Sequence, residues 1–132
     1  MRRTYFCPHC GGRLNPNVKI ILRAERRGRK ALLLFSPQPG NYDVICPDEF
    51  RIKKGDVVEF SCPICGHGLG SRRGEGMAEI RVVNPGGEEG KVYFSRQYGH
   101  HETYFVTEED IRSYGEHSAP DGMNFWGAGP SR

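Results

Sequence analysis

Cys7-Pro8-His9-Cys10-Gly11 and Cys62-Pro63-Ile64-Cys65-Gly66 decide the reading of this chain. In each stretch two thiols sit close enough on one turn to share an ion, and the glycine after the second cysteine permits positive φ and exposed amides near the sulfurs. A single C-x-x-C is equally the mark of a redox dithiol. Two of them, both with proline after the first cysteine and glycine after the second, predict one shared site with Cys7, Cys10, Cys62 and Cys65 as ligands. A closed set of four thiolates leaves no position for water or substrate, so one structural Zn2+ is the expected ion. Iron is the alternative, because the ligand set alone does not separate the two.

The 51 residues between Cys10 and Cys62 read as strands and turns throughout, so the ion clips the two ends of a small sheet. Val18 to Ala24 predicts a strand, Glu25 to Lys30 a charged hairpin loop, and Ala31 to Phe35 a return strand, apolar on both faces and expected to be central or covered on both sides. Ser36 to Asn41, with two prolines and Gly40, breaks the ladder. Tyr42 to Cys46, Phe50 to Lys53 and Val57 to Phe60 predict three further short strands.

Gly66 to Gly76 holds five glycines and reads as a flexible joint. Beyond it Ala78–Asn84, Lys91–Arg96 and Glu102–Thr107 predict a meander with Ile80, Val82, Val92, Phe94, Tyr104 and Val106 on one face. Thr107-Glu108-Glu109-Asp110 has the character of a helix start, a capping hydroxyl followed by acids, and predicts a short helix ending near Tyr114 at Gly115. The fold class expected is mainly β: a zinc ribbon with an expanded spacer sheet over 1–70, a small antiparallel meander with one short helix over 77–115, and a flexible tail over 116–132. No internal repeat stands out beyond the paired knuckles.

The chain has 132 residues, 36% of them hydrophobic, with 18 Gly and 9 Pro, a turn-rich composition with a thin core that a structural metal would stabilise. The longest run without a polar residue, Ala31 to Phe35, is far short of the roughly 20 residues a membrane helix needs. Arg2 and Arg3 lead straight into the first knuckle with no apolar segment of a secretory signal, so a reducing cytoplasm is the expected compartment. Residues 1–75 carry 14 Lys and Arg against 7 Asp and Glu, and residues 76–132 carry 5 against 9. The first part is therefore basic and the second acidic, within a net charge of +3.

At the knuckles the sequence resembles the zinc-ribbon and rubredoxin-like families, in which C-P-x-C-G turns face each other across a metal. The whole chain also resembles small uncharacterised bacterial zinc-ribbon proteins. The resemblance covers Cys7 to Gly12 and Cys62 to Gly66 and implies ligation by Cys7, Cys10, Cys62 and Cys65. Rubredoxins hold iron and pass electrons; the long spacer and the acidic second half depart from them.

Other residues offer weaker signals. Arg26, Arg27, Arg29 and Lys30 form a basic hairpin tip that could neutralise nucleic-acid phosphates, although no aromatic side chain interleaves with them. Cys46, in Val44-Ile45-Cys46, is expected to be a small buried hydrophobe. His9 is expected to face solvent. His100, His101 and His117 could form a second metal site or supply a base, but adjacent histidines in a strand point to opposite faces. Phe125-Trp126 is the one aromatic pair of the tail and a candidate for docking. No phosphate loop, H-E-x-x-H or nucleophile elbow is present. The expected function is therefore non-catalytic: an adaptor or regulator that binds a protein partner or itself, with a nucleic-acid-binding ribbon and an iron electron carrier as alternatives, and no small-molecule substrate or membrane.

Overall fold

The computed structural model describes residues 3–71 and 76–118. These form β1 (Thr4–Phe6), β2 (Ile20–Arg26), β3 (Arg29–Phe35), β4 (Val44–Ile45), β5 (Glu59–Ser61), β6 (Met77–Val83), β7 (Glu89–Ser95), β8 (Thr103–Val106) and β9 (Ile111–Tyr114), with one 3-10 turn at Asp48–Phe50. The strands make two antiparallel sheets, in the orders β4-β3-β2-β5 and β1-β6-β7-β8-β9. The protein is mainly β, as its alternating apolar pattern predicts.

β2 and β3 form the hairpin expected there, but its loop is only two residues long. Glu25 pairs with Lys30 and Arg26 with Arg29. Arg27 (φ 52°) and Gly28 (φ 79°) carry the chain around, both in the left-handed region that tight hairpin turns require. β3 is central, as expected, and only one of its faces is covered. Leu33 is buried while Leu32 is 49% exposed. An apolar run shows that a strand is sticky on two sides and not that something lies against each. The strand expected over Phe50–Lys53 is also absent: the chain makes its 3-10 turn there, and Arg51 in a left-handed conformation (φ 53°) ends it with Phe50 buried.

In the second sheet β6, β7, β8 and β9 run as a meander. Val92 lies opposite both Ile80 and Phe105, and opposed residues share a face, so Phe105 joins the inner core. Tyr104 and Val106, expected on that face, instead lie with Met77, Tyr93 and Ile111 on the other.

The expected helix after Thr107 is a strand. Thr107 to Asp110 is a turn in which the Thr107 amide donates to the Asp110 carbonyl (2.9 Å), and Ile111–Tyr114 returns against β8. Acids and a hydroxyl serve a tight turn as well as a helix cap. The alternation of Ile111-Arg112-Ser113-Tyr114 before Gly115 suits a strand and leaves too few residues to nucleate a helix. Past Gly115 the chain folds back, with the His117 amide donating to the His101 carbonyl (2.9 Å). The rest of the expected tail, including Phe125-Trp126, lies outside the described residues.

The two sheets are interlocked by an exchange of strands. β1 precedes the first knuckle yet pairs with β6, which follows the second; β5 precedes the second knuckle yet pairs with β2, which follows the first. The inner faces meet in one core that includes Leu22, Leu33 and Phe60 from one sheet and Tyr5, Ile80 and Phe105 from the other. Phe60 and Phe94 cross the interface with ring centroids 5.6 Å apart.

Candidate metal centre

Each knuckle is a tight hairpin built by the same bonds. In the first, the Cys7 amide donates to the Gly12 carbonyl (2.9 Å) and the Gly11 amide to the Cys7 carbonyl (3.0 Å). In the second, the Cys62 amide donates to the His67 carbonyl (3.0 Å) and the Gly66 amide to the Cys62 carbonyl (2.9 Å). The match continues outward: Leu14 bonds back to Tyr5 as Leu69 does to Phe60, and Phe6 bridges Arg13 as Ser61 bridges Gly68. Gly11 (φ 73°) and Gly66 (φ 78°) adopt the left-handed turn conformation expected of them.

The exchange of strands brings the two knuckles face to face. Cys7 Sγ lies 3.9 Å from Cys65 Sγ and Cys10 Sγ lies 3.8 Å from Cys62 Sγ, and all four sulfurs fall within 4.8 Å of one another. A tetrahedron of sulfurs with metal–sulfur bonds of ~2.3 Å has edges of about 3.8 Å, so the spacing fits four thiolates around one ion. Cys7 and Cys62 are buried, and Cys10 and Cys65 are exposed.

Backbone amides point at the sulfurs. His9 and Cys10 donate to Cys7 Sγ (3.3 and 3.4 Å), Ile64 and Cys65 to Cys62 Sγ (3.3 and 3.5 Å), and Gly12 to Cys10 Sγ (3.3 Å). Burial pushes the Cys7 thiol up, but the Cys10 and His9 amides and the neighbouring thiols bring it down to about 7. Burial also acts on Cys62, and there Cys7 and Cys65 reinforce it against the Cys65 and Ile64 amides, so that this thiol is pushed up to about 12. The first thiolate forms readily and suppresses the next. A cation among the four would relieve that repulsion.

The knuckles also touch through side chains that sequence reasoning did not assign. His9 stacks on His67 with ring centroids 3.5 Å apart, so His9 lies against the opposite knuckle while remaining exposed. Ile64 packs over Gly12, where an added Cβ would meet its Cδ1. The signal was available: a shift of 55 residues that superposes Cys7 on Cys62 also superposes His9 on Ile64 and Gly12 on His67.

The remaining candidates are dispersed. Arg26 is held by Asp56 (2.9 Å) and Arg29 donates to the Glu49 carbonyl (3.0 Å). Arg26 and Arg29 occupy one paired position and Lys30 the next, so they alternate between faces, with Arg27 at the turn. Cys46 is half-buried against the core and donates to the Pro47 carbonyl (3.5 Å), away from the four ligands. Burial, aided by Asp48 and Glu49, pushes its thiol up.

His100, His101 and His117 do come together, though not as a strand pair. His101 Nδ1 bonds Glu116 Oε1 (2.9 Å), the His101 amide donates to His117 Nδ1 (2.9 Å), and His100 stacks on His117 at 4.6 Å. Gly115 makes this possible: at φ 96° its backbone passes so close to the His101 carbonyl and the Tyr42 hydroxyl that a Cβ would clash with both.

Fold and site together define a mainly β protein whose paired knuckles place four cysteines to bind one metal ion. No protein-family model matches the chain, and neither a curated protein nor a solved structure matches it. No helix among the described residues is long and apolar enough to cross a membrane.

Proposed function

We propose that the protein is a non-catalytic adaptor or regulator, clipped by one structural Zn2+ in a zinc-ribbon-like arrangement, that binds a protein partner through the outer face of β4-β3-β2-β5. The observation that carries this reading is an apolar row on that face. Ile21 lies opposite Leu34 and Leu34 opposite Ile45, while Leu32 stands beside them opposite Arg23. Leu32 and Ile45 are 49% and 55% exposed. Scattered surface leucines need no explanation, but an aligned apolar row across three strands is what a docking surface presents. Arg23 and Lys30 share this face with Glu25 and Glu59, so the partner that fits is an apolar protein surface with charged groups of both signs at its rim.

Zinc is preferred for the centre because four thiolates close the coordination shell and leave no position for water or substrate. The test has two arms. Metal analysis of protein from its native host should give one zinc per chain and no colour; a red, iron-loaded protein would favour electron transfer. A photo-crosslinking residue at position 32 should join a protein partner in its native host, and Ile45→Asp should abolish that product without changing metal content. Absence of any product, or its persistence after Ile45→Asp, rejects the docking face.

A further inference from the structure

We propose that the space between the two sheets is a binding cavity for an elongated apolar carboxylic acid. This site is separate from the metal centre and from the outer docking face. Its volume is about 470 Å³. Packed interiors leave few voids larger than a water molecule, whose share of liquid volume is about 30 Å³, so this space is no packing defect. It falls in the range of roughly 300–1,000 Å³ typical of small-molecule sites.

The walls of the cavity are the inner faces of both sheets. Over a packed floor that includes Leu33 and Ile80, half-buried Phe35, Val44, Ile52 and Phe94 leave apolar surface facing the space, a lining that favours a hydrocarbon body. The polar lining comes chiefly from the segments that leave the strand ends, at 36–42 and 95–101 with Lys54, Glu116 and His117, joined by Thr103 at the start of β8. The cavity is therefore apolar along the sheets and polar where loops border it, which calls for a ligand with one polar end.

The border chemistry selects the sign of that end. Lys54 lines the cavity and attracts Glu116 through space, but it forms no ion pair among the described residues. His117 also lines it; because its Nδ1 accepts the His101 amide, the neutral ring carries its proton on Nε2 and has a donor to offer. Glu116, the one carboxylate of the lining, is already engaged by His101 Nδ1. A cation and a ring N–H beside an occupied carboxylate suit an anionic acceptor, and a carboxylate is the smallest group that satisfies both.

The border is also built rather than loose. The Tyr42 hydroxyl lies 2.8 Å from Thr103 Oγ1 and donates to the Tyr114 carbonyl (3.0 Å), and the Tyr42 ring stacks on His101 at 4.3 Å. Three separate segments are thereby fixed to one another at the polar border, as a preformed site requires.

Titration calorimetry of the metal-loaded full chain with dodecanoate, and separately with 1-dodecanol, tests this. Saturable binding of one dodecanoate per chain is expected, at least tenfold tighter than the alcohol. Lys54→Glu should weaken dodecanoate at least tenfold and leave the alcohol unchanged. Val92→Phe, which places a ring in the cavity, should abolish both; if that variant fails to fold, the Lys54→Glu comparison decides alone. Failure of dodecanoate to bind, unsaturable uptake of many molecules, or equal affinity for acid and alcohol would each overturn the proposal.

Discussion

The two halves of the chain start from one plan and end differently. Thr4 to Ile45 and Glu59 to Tyr114 each run strand, knuckle, return strand and further antiparallel strands, and the backbone-to-backbone bonds around the two knuckles match. The outer faces of the resulting sheets differ. In the first half that face carries the exposed row containing Leu32 and Ile45, whereas in the second Tyr93 and Tyr104 on the corresponding side are buried. The knuckle unit therefore serves as a frame, and what distinguishes the halves lies on the surfaces the frame holds.

The exchange of strands makes each half depend on the other, and the four cysteines gather where the exchange occurs. Cys62→Ala should break both halves at once. A structural zinc site is worth about 10–16 kcal/mol in isolated peptides, comparable with the ~5–15 kcal/mol that holds a whole domain together. The expected outcome is loss of the cooperative thermal transition and of amide protection in β2 and β6 alike. Cys46→Ala, outside the ligand set, should retain both. Protection that survives in one sheet of the Cys62 variant would show that the halves fold independently.

The contrast between outer faces predicts opposite responses to substitution. Tyr104 is fully buried, and Tyr104→Ala should destabilise by about 3–5 kcal/mol, the usual range for removing a buried aromatic side chain. Leu32→Asp should change stability by no more than about 0.5 kcal/mol, because a half-exposed side chain with no cover loses little. Chemical denaturation of the two variants checks this, and a large loss for Leu32→Asp would mean that its face is covered within the molecule.

The knuckles themselves differ in how their thiols ionise. Metal binding must expel any proton a ligand holds. Without metal, Cys62, pushed up to about 12, carries its proton across the whole neutral range; Cys7, held at about 7, carries one only below that pH. Affinity should therefore fall on acidification, with a slope steeper by one proton below pH 7 than above, an added ~1.4 kcal/mol per pH unit. Calorimetry in buffers of different ionisation enthalpy should find about one more proton released per ion at pH 6 than at pH 8. Equal release would show that the two knuckles titrate alike.

How far these differences were legible in sequence follows from the range of each interaction. The ligand set, the β class and the β2–β3 hairpin rest on spacing and period within a few residues, and they were readable. β9 was misread because Thr107 to Asp110 suits a helix cap and a tight turn equally, and pairing with β8 decides between them. The exchange of β1 and β5 was invisible for a stronger reason: Tyr5 pairs with Val82, and no local pattern records a partner that far away. The face of Phe105 and the place of Glu116 beside His101 and His117 depend on such pairings and were hidden with them, whereas the histidines themselves were legible as a candidate common site.

The smallest difference between the halves offers the finest test. Gly12 and His67 occupy equivalent places after the two knuckles: Ile64 covers the glycine, and His9 stacks on the histidine. An alanine at position 12 would meet the Cδ1 end of Ile64, a side chain 61% exposed and free to rotate aside, and would stand 3.3 Å from Cys10 Sγ, a tight contact that a small shift of the side chains relieves. The Gly12 amide that donates to Cys10 Sγ would be retained. Gly12→Ala should accordingly cost less than about 1 kcal/mol and leave metal affinity unchanged. A competition titration against a chelator checks the affinity. A loss of tenfold or more would mean that close approach at Gly12 holds the sulfurs in register, and that the asymmetry at this position is a requirement of the metal site.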